Sequence, residues 1–279
     1  LCGGKFPLIS GDAKMRGNFP PHNRFEERLD IPYIDDGEDR HKFDLYFASK
    51  DDPIHKKALI IDIHGGGFIQ GWRKNNFAFG LEFLRRGYDF AAIDYLPVQK
   101  GRSVGDLVSD CARCLSFIAS HKEELGLQDD RIVMSGDSAG GLLALLMQIA
   151  NDSPSYAERI GANLTGLNSR AVLLNCPVYD ICGEVTLGSL TKSGVRYMFG
   201  PRSKDTDYMA LYSPKSHIDK LSSPIFISTC AKDFIRANSE EAFLDLAKRD
   251  DLLFQRLDID DLNVGHVHNI IDPANPSSV

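Results

Sequence analysis

The chain has 279 residues, 43% of them hydrophobic and 25% charged, which is ordinary for a globular protein and sufficient for a substantial core. Its formal net charge of -7 argues against nucleic acid as a main partner. No apolar run approaches the roughly 20 residues of a membrane span, and the N-terminus lacks the pattern of a secretory signal, so we expect a cytoplasmic protein without a membrane span.

The first predicted elements are two antiparallel strands. Residues 27–34 and 42–48 alternate between apolar and polar side chains around an acidic turn, which is typical of a hairpin. A nearly continuous apolar run at 58–63 then predicts a strand that is covered on both faces of a parallel sheet. It leads directly into His64 and the three glycines at 65–67. Glycines weaken regular structure, so this loop either turns tightly or brings its backbone N–H groups close to a ligand. Phosphate is disfavoured as that ligand, because no phosphate-binding glycine motif is present.

Helices and strands then alternate along the chain. Apolar residues at helical spacing predict helices over 76–86 and 103–125, and a buried strand is predicted between them at 89–95. Residues 131–151 contain a short apolar run, the sequence Gly-Asp-Ser-Ala-Gly and a series of good helix formers. This order predicts a strand, a tight turn and a helix.

The same alternation returns near the C-terminus. Strands and one helix are predicted at 171–178, 224–231, 239–250 and 253–259. Residues 180–218 have a mixed pattern and are too long for a plain connection, so we interpret them, together with 1–26, as a cap. The sequence therefore predicts a single α/β domain over 1–279, with a mostly parallel central sheet and helices on both faces.

Ser138 lies at the centre of the predicted tight turn, between Gly136 and Gly140. In a G-x-S-x-G turn the small residues let strand and helix pack closely, and the serine hydroxyl is exposed above the end of the sheet. Ser138 is therefore the candidate nucleophile. Because glycine and serine are common, this prediction needs a base, an acid and an oxyanion site elsewhere in the chain.

Candidate bases and acids follow other predicted strands, where catalytic groups of α/β sheets collect. His64, His266 and His268 are the histidines in such positions, and Asp233 and Asp180 are the acids. Ser138 followed by Asp233 and then by the loop of His266 gives the order of the α/β-hydrolases, with Asp180 as the alternative acid.

Backbone N–H groups must also stabilise an oxyanion. Ala139 follows the nucleophile and offers one N–H group, and the glycines after His64 offer others. Binding of an oxyanion would therefore explain the three successive glycines. These parts occur in a workable order, which favours a serine hydrolase over an ordinary glycine-rich turn.

Four motifs together point to a known family. They are HGGGF at 64–68, GDSAGG at 136–141, DYLPVQ at 94–99 and AKDF at 231–234. With these motifs the sequence resembles the hormone-sensitive-lipase-like branch of the α/β-hydrolases, whose bacterial members are carboxylesterases and acetyl esterases. The resemblance covers roughly residues 27–271.

The resemblance implies a role for each candidate residue. Ser138 would be acylated, His266 would be the base and Asp233 the acid that orients it. His64 would support the glycine loop from behind. The resemblance also implies an oxyanion hole formed by Gly66, Gly67 and Ala139. Where the family commonly has H-G-F or H-x-F, this chain has His266-Val-His268, so His266 is favoured as the base and His268 is the alternative.

The predicted function is hydrolysis of short-chain, acetyl-like esters through an acyl-enzyme intermediate, with a small-molecule ester as the partner. No cofactor and no metal are implied. An amidase or arylformamidase that uses the same triad is one alternative, and a non-catalytic small-molecule receptor on the same scaffold is another. The oligomeric state stays open, with a homodimer as one option.

Overall fold

The computed structural model describes residues 25–51, 53–99, 101–127, 131–182 and 192–273. Strands β1 to β8 are Glu26–Pro32, Lys42–Phe47, Ala58–Ile63, Asp89–Ile93, Arg131–Asp137, Ser169–Asn175, Ile225–Cys230 and Phe254–Ile259. Helices α1 to α8 are Phe77–Arg85, Val104–Ser120, Ser138–Asp152, Pro154–Arg159, Lys192–Phe199, Thr206–Leu211, Arg236–Leu246 and His268–Ile271. Short 3₁₀ helices occupy Arg73–Asn76, Gly200–Arg202 and Pro214–Lys220.

The eight strands form one sheet in the order β1-β2-β4-β3-β5-β6-β7-β8. Strands β1 and β2 pair antiparallel, as the predicted hairpin requires, and β2 also pairs antiparallel with β4. All other neighbouring strands in this sheet are parallel. The predicted α/β fold with a mostly parallel sheet is therefore confirmed.

Helices cover both faces of the sheet, as the burial of the β3 side chains shows. All six of its residues are buried. Leu59 and Ile61 pack into the larger core, which includes apolar side chains of α2 and α3. Ile60 points to the opposite face and packs into a second core with side chains of α1. Because β3 is covered on both sides, its C-terminal end is a rigid base for the loop that follows.

The second predicted helix is shorter than the pattern suggested. We predicted a helix over 103–125, but α2 ends at Ser120. Its start agrees with the prediction to within one residue: Ser103 precedes Val104 as the N-cap, and Ser103 and Asp106 form a capping box. Beyond the helix, the N–H of Gly126 bonds to the carbonyl of Glu123, so the chain continues in turns.

The predicted cap segments are described only in part. Residues 1–24 and 183–191 lie outside the described residues. In the described remainder of 180–218, Tyr197 of α5 donates its hydroxyl to the carbonyl of Val98 at 3.2 Å. This contact joins the segment to a loop beside the carboxyl edge of the sheet, while its role as a cap stays a prediction.

Candidate active site

The tight turn predicted around Ser138 joins β5 to α3. Asp137 ends the strand, Ser138 begins the helix, and Ser138 has a φ of 53°, in the left-handed region. A Cβ atom on Gly136 would lie 2.4 Å from the carbonyl oxygen of Gly140, and one on Gly140 would lie 2.0 Å from the carbonyl oxygen of Ile63. Both positions therefore require glycine, since strand and helix approach too closely for any side chain.

Three predicted residues come together at this turn. The Nε2 atom of His266 lies 2.9 Å from the Oγ atom of Ser138. Its Nδ1 atom lies 2.7 Å from Oδ1 of Asp233. With the proton on Nδ1, His266 donates to the carboxylate and accepts from the hydroxyl, which is the arrangement that activates a serine.

Asp233 is held in its ionised form by its neighbours. Burial pushes the pKa of its carboxyl upward, but the hydrogen bond and charge of His266 and the N–H of Ile235 lower the pKa below its ordinary value. The hydroxyl of Thr229 donates to the second carboxylate oxygen at 3.1 Å. The carboxylate is thereby fixed and charged beside the imidazole.

The loop of His266 is attached to the end of β7. Lys232 and Gly265 form an isolated parallel bridge, and the thiol of Cys230 donates to the carbonyl of Gly265 at 3.1 Å. The ring of Phe234, which is 69% exposed, lies 4.3 Å from the imidazole of His266 between centroids. These contacts fix the position and orientation of the His266 imidazole.

The alternative acid and base lie elsewhere. His268 is buried and begins α8, while the ring that contacts Ser138 belongs to His266. The carboxylate of Asp180 accepts the hydroxyl of Ser213 at 2.9 Å. The geometry therefore places His266 and Asp233, rather than His268 and Asp180, at the candidate nucleophile.

The glycine loop lies directly beside the start of α3. A Cβ atom on Gly140 would also lie 2.4 Å from the carbonyl oxygen of His64, and the N–H of Gly65 donates to Oδ1 of Asp137 at 2.8 Å. Ala139 lies in the first turn of α3, where backbone N–H groups have no partner within the helix. The predicted oxyanion residues Gly66, Gly67 and Ala139 thus share one region with Ser138.

His64 lies beneath this loop, 1% exposed. Its Nδ1 atom lies 2.7 Å from the carbonyl oxygen of Gly65, and its Nε2 atom lies 2.9 Å from Oδ1 of Asp94. The ring of Tyr95 stacks on it at 4.4 Å, and the Tyr95 hydroxyl donates to the carbonyl of His64. These contacts are those expected of a residue that supports the loop from behind.

A buried group of charged side chains, which was not predicted from the sequence, lies next to His64. Arg73, 1% exposed, donates to Asp44 at 3.1 Å and to Asp94 at 3.0 Å. It also contacts Asp30, and Arg40 donates to Asp94. The available signal was an acid, Asp94, near the end of the buried strand that we predicted at 89–95. No sequence pattern connected it to Arg73.

A second group that was not predicted from the sequence joins β3 to the tight turn around Ser138. The amide of Asn76 donates to Asp62 and to Asp137, at 2.7 Å in each case. Burial, aided by the charge of Asp137, raises the pKa of Asp62 to about 7. Burial also raises the pKa of Asp137. An acid inside the apolar run at 58–63 was the signal that could have identified Asp62.

Comparisons with solved structures agree with this fold. Two crystal structures of inhibited esterase B from Lactobacillus rhamnosis superpose with a TM-score of 0.81, and one of them covers 97% of this chain and 88% of its own chain at 19% identity. A bacterial heroin esterase superposes with a TM-score of 0.68, covering 97% of this chain and 86% of its own at 20% identity. At these identities the likeness extends to the fold.

Curated relatives match parts of the chain. Esterase LipQ of Mycobacterium tuberculosis is 23% identical over 82% of this chain and 55% of its own length. The probable isoprenylcysteine alpha-carbonyl methylesterase ICMEL2 of Arabidopsis thaliana is 31% identical over 37% of this chain and 24% of its own length. The chain thus matches about a quarter to a little over half of the length of these proteins.

Among the described residues, no helix is long and apolar enough to cross a bilayer. The family model BD-FAE matches residues 43–244. This range contains the glycine loop, the tight turn of Ser138 and Asp233. The match extends over more than half of the 279 residues and agrees with the esterase fold of the solved structures. The chain therefore belongs to the BD-FAE family, within the α/β-hydrolase fold.

Proposed function

We propose that the protein is a serine carboxylesterase that hydrolyses short-chain acyl esters through an acyl-enzyme intermediate. One observation carries the proposal: the hydrogen-bonded series from the Ser138 hydroxyl through the His266 imidazole to the Asp233 carboxylate, with distances of 2.9 and 2.7 Å. Membership of a family with esterase relatives supports it.

In the first half of the reaction, Ser138 Oγ attacks the ester carbonyl while His266 Nε2 accepts the hydroxyl proton. Asp233 stabilises the imidazolium that forms. The N–H groups of Gly66, Gly67 and Ala139 would donate to the oxyanion of the tetrahedral intermediate. Their electrostatic contribution is large because the donors are already in place and need no reorganisation. His266 then gives its proton to the departing alkoxide, and the acyl group stays on Ser138.

In the second half, water takes the place of the alcohol. His266 accepts a proton from the water as the water attacks the acyl carbonyl, and it returns this proton to Ser138 Oγ as the ester bond breaks. The carboxylic acid leaves and the starting state is restored. The same three side chains and the same N–H donors serve both steps.

Replacement of the nucleophile tests the proposal. The unmodified protein should hydrolyse p-nitrophenyl acetate and butyrate and lose activity toward longer acyl chains, whereas Ser138→Ala should retain only background hydrolysis. The matched control is Ser155→Ala, in an exposed serine on α4. Undiminished turnover by Ser138→Ala would refute the proposed nucleophile, and full activity on long chains would refute the short-chain preference.

A further inference from the structure

A buried thiol that the proposed mechanism does not use lies behind the triad. Cys176 follows the last residue of β6 and is 1% exposed. Its Sγ atom accepts the backbone N–H of Val267, the residue after His266, at 3.4 Å. The thiol is therefore joined to the loop that carries the candidate base.

Three different ligand atoms meet at this position. The Sγ atom of Cys176, a carboxylate oxygen of Asp233 and a ring nitrogen of His266 all lie within 4.8 Å of one another. Thiolate, imidazole and carboxylate are the ligands that Zn²⁺ takes in proteins, at roughly 2.0 to 2.3 Å from the ion. A tetrahedral site with these bond lengths places its ligand atoms about 3.3 to 3.6 Å apart. His266 Nδ1 and Asp233 Oδ1, now 2.7 Å apart, would therefore separate by roughly 0.6 Å around a bound ion, and the thiol would approach from a distance of at most 4.8 Å.

The charges of this ligand set suit a divalent ion in a buried place. Bound to the ion, a Cys176 thiolate and an ionised Asp233 carry two negative charges. One Zn²⁺ ion balances these two negative charges. The buried site then has little net charge, so the cost of burying an unpaired charge is avoided. In the metal-free protein the hydrogen bond with Cys230, burial and the charge of Asp233 raise the pKa of the Cys176 thiol, so the ion itself must displace the thiol proton. Binding releases the thiol proton of Cys176 to solvent.

We propose that Cys176, Asp233 and His266 form an inhibitory Zn²⁺ site, with water as the fourth ligand. His266 Nδ1 faces Asp233 and is the coordinating nitrogen. Coordination there moves the imidazole proton to Nε2, which then donates to Ser138 Oγ instead of accepting its proton. Asp233 is occupied by the metal at the same time, so the bound ion stops the reaction. The inhibition, though not the binding, rests on the proposed function.

The test compares two cysteine variants, with each enzyme measured against its own metal-free activity. ZnCl₂ should inhibit the unmodified protein, and Cys176→Ser should raise the half-inhibitory concentration by about tenfold or more. Cys182→Ser is the matched control, because Cys182 is the exposed cysteine among those described, and it should be inhibited like the unmodified protein. Equal inhibition of Cys176→Ser and the unmodified protein would overturn the proposal.

A second measurement does not depend on activity. Co²⁺ in place of Zn²⁺ should give a thiolate-to-metal absorption band in the unmodified protein and in Ser138→Ala, and the band should be absent in Cys176→Ala. Because Ser138→Ala keeps all three ligands, its band tests the metal site even if the esterase proposal fails. A band that persists in Cys176→Ala, or that is missing from Ser138→Ala, would contradict the assigned ligands.

Discussion

At the scale of single residues, the sequence offered two candidate bases two positions apart, with His266 favoured over His268. The structure separates them through Val267, which has a φ of 49° between His266 and His268. This left-handed residue turns the chain, so that His266 contacts Ser138 while His268 becomes the first residue of α8. A sequence pattern carries no information on this turn, because non-glycine residues adopt it rarely.

Truncation of the two histidines should have unequal effects. His266→Ala should lower kcat/KM for p-nitrophenyl acetate by roughly three powers of ten or more, because it removes the proposed general base. His268→Ala should lower it by less than about tenfold. Comparable losses in both variants, with folded proteins by circular dichroism, would argue against His266 as the sole base.

The buried Asp62 should make the free energy of unfolding depend on pH. Burial, aided by the charge of Asp137, raises its pKa from an ordinary 3.8 to about 7, so the native state keeps a proton that the unfolded state has lost. Native stability therefore falls as the pH rises from about 4 to about 7. A shift of this size corresponds to roughly 4 kcal/mol at most.

Asp62→Asn should remove this dependence. Relative to the unmodified protein, the variant should gain stability between about pH 5 and about pH 8, measured by urea unfolding at both pH values. Asp51→Asn, which changes an exposed acid, should keep the unmodified dependence. An Asp62→Asn protein whose stability follows that of the unmodified protein at both pH values would refute the buried proton.

At the scale of elements, the site depends on how closely β3 and α3 approach. Gly140 makes this approach possible, since its missing Cβ would lie 2.0 Å from the carbonyl oxygen of Ile63. The same closeness places the glycine loop next to Ala139. The motif around Ser138 is thus a packing requirement as well as a chemical one, which is why the sequence could reveal it.

Gly140→Ala should be strongly destabilising, by more than about 3 kcal/mol, because a backbone carbonyl cannot move aside cheaply. Gly161→Ala is the control: it has a φ of 68° and open space around its missing Cβ, so it should lose only about 1 kcal/mol. Urea unfolding measures both changes. A Gly140→Ala protein as stable as Gly161→Ala would show that β3 and α3 have more room than described.

At the scale of the whole molecule, the sequence allowed prediction of the features that depend on short stretches of neighbouring residues. Three features depend on residues that are close in sequence, so they could be predicted from it: the order of strands and helices, the tight turn of Ser138 and the loop at 64–68. The bridge from Asp62 through Asn76 to Asp137 joins three distant positions, and the contact of Arg73 with Asp94 joins two. Such contacts exist only after folding, since no local pattern requires them.

Ser138 is the proposed nucleophile, and covalent labelling tests this role most directly. A fluorophosphonate that reacts only with activated serines should add once per chain, and peptide mass spectrometry should place the adduct on Ser138. His266→Ala should be labelled far more slowly, because its serine has no base. An adduct on another residue, or a folded unmodified protein that remains unlabelled, would rule out Ser138 as the nucleophile.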